Sequence, residues 1–189
     1  MELRVERLFK SYNGTAVLQN VSFTAHTGLT RITGSSGIGK TTLLRILLGL
    51  ERADSGTICA DGLRWAAVFQ EDRLLEGADA AGNLRFVLGR AYDERAAGAL
   101  LDALGLGGVG RKRVYDYSGG MKRRLALARA LLAPANALAL DEPFTGLDAE
   151  NRAAARFCVE CAAQEKLILL VSHEDDGLSG AKVALSEPS

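Results

Sequence analysis

Apolar and polar side chains alternate approximately from Leu3 to Phe9, the two-residue period of a strand with one buried face. Asn13-Gly14 then supplies a turn. Residues 21–23 and 29–33 read as further strands, the second running straight into a glycine-rich loop and an apolar helix at 41–50. Short strands follow at 58–60 and 66–70. From there to about residue 133 the chain turns rich in Ala, Leu, Gly and Arg, and the pattern predicts helices at 80–88, 94–104 and 119–133, with the glycines of 105–110 forming the loop between the last two. Residues 137–140 and 167–171 are nearly unbroken apolar runs, as central parallel strands covered on both faces require, and a helix at 149–164 separates them. Strands alternating with helices predict a single α/β domain on a mostly parallel sheet, its core formed by about 1–71 and 135–189 and a helical insertion occupying about 72–134. No internal repeat or low-complexity linker interrupts it, and 186–189 is expected to be loose.

Composition narrows the partners. The 189 residues carry 23 basic and 23 acidic side chains, so the chain lacks the basic surplus that a neutraliser of nucleic-acid phosphates needs. Its longest apolar stretch, 125–140, is broken by Arg129, Pro134 and Asn136, and no membrane span is expected. The first residues lack the basic-then-apolar order of an export signal, which predicts a cytosolic chain. Three cysteines are too few for a disulfide framework. Cys158 and Cys161 sit three apart in a helical stretch, one face of which is expected to bury both as small apolar residues, and nothing nearby completes a zinc set.

The chemistry enters at Gly34-Ser35-Ser36-Gly37-Ile38-Gly39-Lys40-Thr41, which fills every fixed position of the phosphate-binding loop. Glycines let successive N–H groups point inward at phosphate oxygens, and the helix that follows adds the positive end of its dipole. Lys40 is expected to reach the β and γ phosphates, and the Thr41 hydroxyl to ligate Mg²⁺. Kinases, GTPases and many ATPases share this loop, although the chain has no Asn-Lys-x-Asp guanine motif. The apolar run 137–140 ends in Asp141-Glu142-Pro143. Asp141, at the carboxyl end of the strand, is expected beside the loop to hold Mg²⁺, and Glu142 to orient or deprotonate the attacking water.

At Tyr117-Ser118-Gly119-Gly120-Met121-Lys122-Arg123-Arg124 the chain closely resembles the nucleotide-binding subunits of ABC ATPases, whose signature is Leu-Ser-Gly-Gly-Gln; Tyr117 and Met121 replace its outer positions. A Ser-Gly-Gly at a helix start is itself suited to an anion. The resemblance runs in order over roughly residues 2–185. It implies a P-loop NTPase core of RecA-like type with an antiparallel β subdomain and an inserted helical subdomain. It further implies that Gln70 is the Q-loop glutamine near Mg²⁺ and the attacking water, that Gly146-Leu147-Asp148 is the D-loop with Asp148 at a dimer interface, and that His173 contacts the γ phosphate. Tyr12 would stack on adenine, Val17 would add an apolar contact, and Thr42 would lie near the α phosphate.

In such subunits two copies pair head to tail. Each ATP then lies between the loop of one copy and Ser118, Gly119 and Gly120 of the other, and closure drives a membrane permease. The partner copy would be identical or a paralogous ATPase subunit. Residues 68–75, with Ser-Gly-Gly-Met-Lys, resemble the importer group serving nitrate, sulfonate or taurine. The expectation is therefore a Mg²⁺-dependent ATPase of a small-solute importer, cytoplasmic and held at the inner membrane face by its permease, with no direct nucleic-acid partner. A soluble ABC ATPase of macromolecular assembly and a module that binds ATP without turnover are the alternatives.

Overall fold

In the computed structural model, which describes residues 1–172 and 177–186, β1 (Glu2–Tyr12) turns through Asn13-Gly14 into β2 (Thr15–His26). Both turn residues take positive φ, 50° and 80°, the turn whose twist matches a two-residue hairpin. A bulge at Arg7 (φ 46°) shifts the register between Val5 and Leu8, and this extra residue returns Leu8 to the face that already buries Leu3 and Val5. The slip in the two-residue period is therefore a built feature of the strand.

The remaining elements follow in chain order: β3 (Gly28–Thr33), α1 (Lys40–Leu47), β4 (Ser55–Cys59), β5 (Trp65–Val68), α2 (Ala80–Leu88), α3 (Glu94–Ala103), α4 (Gly119–Leu132), β6 (Ala137–Asp141), α5 (Ala149–Ala163), β7 (Leu167–Val171) and β8 (Ala181–Ala184). β2, β1 and β4 make an antiparallel three-stranded sheet. β5, β6, β7, β3 and β8 make a parallel five-stranded sheet in that order. All five residues of β6 and of β7 are buried, and successive side chains enter opposite cores. Leu138, Leu140, Ile168 and Leu170 join the core shared with α4 and α5, whereas Ala137, Ala139, Leu167 and Leu169 join the core under α1 and the antiparallel sheet. Such double coverage is what an unbroken apolar run encodes.

Four expectations change. The first helix stops at Leu47, short of Leu50, because Gly49 (φ 68°) donates to Ile46 O at 3.0 Å while Leu50 N reaches Arg45 O at 2.9 Å, closing the end as a Schellman motif. The strand expected at 66–70 ends at Val68, which frees Gln70. β8 has no counterpart among the expected strands; it is a short, mostly exposed edge strand with little apolar signal. On α5, Cys158 is buried, its thiol pushed up by that burial, but Cys161 is exposed, so the two do not share the core face. Of the tail expected to be loose, 187–189 lies outside the described residues.

Candidate functional site

The loop between β3 and α1 is shaped by what lies behind it. Gly39 has φ 102°, and a Cβ there would stand 2.8 Å from Val17 Cγ1 and 3.0 Å from Val17 O, so only glycine lets β2 approach the start of the helix. Val17 thus braces the loop from outside and does not line its cavity. Ile38 is buried and anchors the loop, its N–H donating to Ser35 O at 3.4 Å. Lys40 is only 6% exposed; its Nζ donates to Gly34 O and Ser35 O, both at 2.8 Å, leaving one of its three donors for a ligand.

Loop and strand end meet around one cavity of about 180 Å³, lined by Ser36, Gly37, Gly39, Lys40, Thr41, Thr42, Gln70, Asp141, Glu142 and Val171. Ser35 and Gly34 stand outside its wall. Thr41 Oγ1 donates to Asp141 Oδ2 at 2.6 Å, which puts α1 and β6 in direct contact across the site. A neighbouring cavity of about 160 Å³ shares Thr41, Gln70 and Asp141 and adds Arg45, Leu50, Phe69, Glu71 and Arg73.

Asp141 is 1% exposed, and its Oδ1 has no hydrogen-bond partner among the described residues. Burial holds its carboxyl above the usual carboxylate range and the adjacent Glu142 adds to this, against the Thr41 hydroxyl, Arg123 and Lys40. A buried, half-satisfied carboxylate beside a hydroxyl and an amide is a set of hard oxygen donors, and Mg²⁺ fits it, since that ion takes one or two protein oxygens and completes its shell with phosphate and water. With its folded pKa raised, stability from this group is present below the unfolded value and lost as pH rises through the folded one. Asp141→Asn is therefore expected to raise the melting temperature of the ligand-free protein at neutral pH by about 2–4 °C and to flatten its fall with pH. Any further rise that adding Mg²⁺ with ATP brings to the wild type should be mostly lost in the variant. Thermal melts from pH 4 to 8 check this.

Glu142 has φ 51°, a left-handed backbone that costs a non-glycine residue roughly 1–2 kcal/mol. The conformation is held from both sides: Glu142 N donates to Val171 O at 2.9 Å, and Glu142 O accepts from Arg123 Nη2 at 2.6 Å and from Thr145 N at 3.3 Å. The Thr145 hydroxyl donates to Glu142 Oε2 at 3.3 Å. Glu142 and Lys40 line the same cavity.

Other candidates lie elsewhere. Ser118 caps α4, its Oγ accepting from Met121 N at 3.3 Å, and Asp148 caps α5, where the N–H of Asn151 at 2.9 Å holds its carboxyl below the ordinary range. The start of α4 lies close to the turn that precedes α5: a Cβ on Gly120 would lie 3.4 Å from Gly146 O. Ser118, Gly119 and Asp148 are exposed, and neither they nor Gly120 line the cavity around Lys40. Tyr117 fills the signature's first position with its ring in the helical core, the phenol pushed up by burial and then by Asp79. Tyr12 also stands outside the cavity, with Lys10 Nζ 5.0 Å from its ring centroid. Its hydroxyl bonds Glu51, which pushes the phenol up, and Thr42 reaches it as well. His173 lies outside the described residues.

Sequence reasoning passes over Arg123 and Arg124, which are 5% and 8% exposed on α4. Arg124 Nη1 caps the end of α3 through Leu104 O at 2.7 Å, and its Nε reaches Gly120 O at 3.2 Å. A signal exists: arginines directly followed by Leu125-Ala126-Leu127 in a helix that must pack cannot all face water, and a buried guanidinium needs acceptors.

Comparison with known proteins gives the family and the fold. A family described as ABC transporter matches residues 18–145. The chain is 37% identical over 179 residues, 93% of its length and 75% of the relative's, to the aliphatic sulfonates import ATP-binding protein SsuB 1 of Pseudomonas savastanoi. It is 39% identical over 171 residues, 86% of this chain and 69% of the relative, to the protein of the same name from Rhodococcus jostii. It is 39% identical over 165 residues, 79% of this chain and 62% of the relative, to the taurine import ATP-binding protein TauB of Pseudomonas fluorescens. A solved chain from Pyrococcus furiosus, described as a putative ABC transporter ATP-binding protein, superposes with a TM-score of 0.88 over 98% of both chains at 20% identity, a likeness of fold.

Proposed function

Since the chain belongs to the ABC transporter family, we propose that it is the ATP-binding and ATP-hydrolysing subunit of a small-solute importer. The observation that carries the reading is the single cavity in which Lys40, Thr41, Gln70, Asp141 and Glu142 converge. The relatives named above are import ATP-binding proteins for sulfonates and taurine, itself a sulfonate, which favours import of a small sulfonate over the assembly-factor alternative.

The residues divide the work. Loop amides and the start of α1 bind the phosphates, and Lys40, held by the carbonyls of Gly34 and Ser35, gives its remaining N–H to phosphate oxygen. Thr41 and Asp141, with Gln70, would hold Mg²⁺, which when bound neutralises charge on the β and γ phosphates. Glu142 orients a water for in-line attack and accepts its proton. Gln70 forms part of the wall between the two cavities, which makes the 160 Å³ groove with exposed Leu50 our assignment for permease docking. We place the subunit on the cytoplasmic side against that permease; among the described residues no helix is long and apolar enough to cross a membrane.

Steady-state phosphate release from the purified chain with ATP tests the reading. Turnover that requires Mg²⁺ and vanishes in EDTA is expected. ATP binding with no release under any Mg²⁺ concentration would leave a binding-only module.

A further inference from the structure

We infer that Arg123 is a positioning residue that locks the backbone of Glu142 to the segment carrying Gln70, so that the water-orienting carboxylate and residues 69–72 move as one body. What that body does rests on the ATPase reading above; that it exists rests on geometry alone.

The parallel ladder between β5 and β6 ends at the pair Val68 and Leu140. Beyond it the two backbones have no strand pairing, yet both carry site residues. Arg123 fills the gap from α4. Its Nη1 donates to Phe69 O, to Asp72 Oδ1 at 3.0 Å and to Gln70 O at 3.4 Å. Its Nη2 donates to Asp141 O at 2.9 Å and Glu142 O at 2.6 Å. One planar, rigid guanidinium therefore bonds both chain segments, and Asp72 supplies the countercharge. Glu142 needs that bond more than an ordinary residue would, because its φ of 51° is a costly conformation that bonds to its peptide groups help to sustain. Arg129, further along α4, donates to Asp72 O and Arg73 O, both at 2.8 Å; it grips the same segment through different carbonyls, which makes it a comparator.

Arg123→Gln and Arg123→Lys in the full chain test this. For Arg123→Gln, kcat for phosphate release should fall at least about tenfold, with KM for ATP and affinity for a fluorescent ATP analogue within about twofold of wild type. Arg123→Lys should lie between, because a single ammonium grips one segment at a time. Without nucleotide, Arg123→Gln should speed both amide exchange at Thr145 and tryptic nicking after Arg73 by roughly fivefold or more, whereas Arg129→Gln should speed only the nicking. The inference is overturned if kcat survives, if kcat and affinity fall in step with accelerated exchange throughout the chain, or if only one of the two segments loosens. A wild type that releases no phosphate defeats the ATPase reading, and the exchange and nicking pair then decides the inference by itself.

Discussion

Glu142→Gln is expected to lower steady-state phosphate release by about 10²–10⁴-fold while leaving ATP bound. The substitution keeps shape while removing the negative charge and the ability to accept a proton. The backbone at 142 is fixed by Val171 O and Arg123, neither of which senses the side chain, so the amide should occupy the same wall of the cavity. The Thr145 hydroxyl can donate to an amide oxygen as it does to Oε2. Losing this charge also removes one of the influences that hold Asp141 above the carboxylate range, so ionised Asp141, and with it Mg²⁺ binding, is favoured in the variant. Tighter nucleotide retention without turnover is the consequence, and in a head-to-tail pair it arrests the closed state. Size-exclusion chromatography with ATP and Mg²⁺ should give a dimer that wild type forms only in passing. A monomer under those conditions, or a variant that turns over within tenfold of wild type, would remove Glu142 from its role as the group that orients and deprotonates water.

Sequence is most informative where the physics is one-dimensional. β7 and α2 end where expected because continuous burial and helical period are properties of consecutive residues. The phosphate loop is legible for the same reason: its glycines, Lys40 and Thr41 must be adjacent to wrap one anion. Of β2 only 21–23 stands out, because most of its twelve residues are wholly or partly exposed, and a strand with two wet faces has no apolar signature. Cys161 departs from its expected place because a spacing of three spans about 300° around a helix, close enough for neighbours yet wide enough for the core boundary to fall between them. The Arg123 bridge is invisible for a deeper reason. Apart from the Asp72 carboxylate its acceptors are the carbonyls of residues 69–70 and 141–142, and main-chain carbonyls carry no sequence label. Asp141 lies beside Thr41 as expected, but its orphan oxygen and raised pKa need coordinates.

The same three-dimensional separation sets up the second large effect. Within one chain, Ser118 and Gly119 are exposed at the start of α4 and take no part in the wall of the cavity that holds Lys40. If Ser118 meets a phosphate at all, the phosphate belongs to another copy. Lys40→Met keeps the buried stem and deletes the ammonium, leaving Gly34 O and Ser35 O without its donors, and should cost about 10²–10³-fold in turnover. Ser118→Arg should cost a comparable factor by placing a bulky cation where, in the head-to-tail pair we propose, a second copy would close. In the head-to-tail pair we propose, each composite site would take Lys40 from one copy and Ser118 from the other, so a mixed dimer of the two variants would have one site with both defects and one with neither. Half the dimers in an equal mixture are mixed, so activity should return to roughly a tenth to a quarter of wild type, far above either variant alone. Mixed samples that release phosphate no faster than the mean of the two separate samples would mean that Ser118 serves its own chain as a helix cap and nothing more.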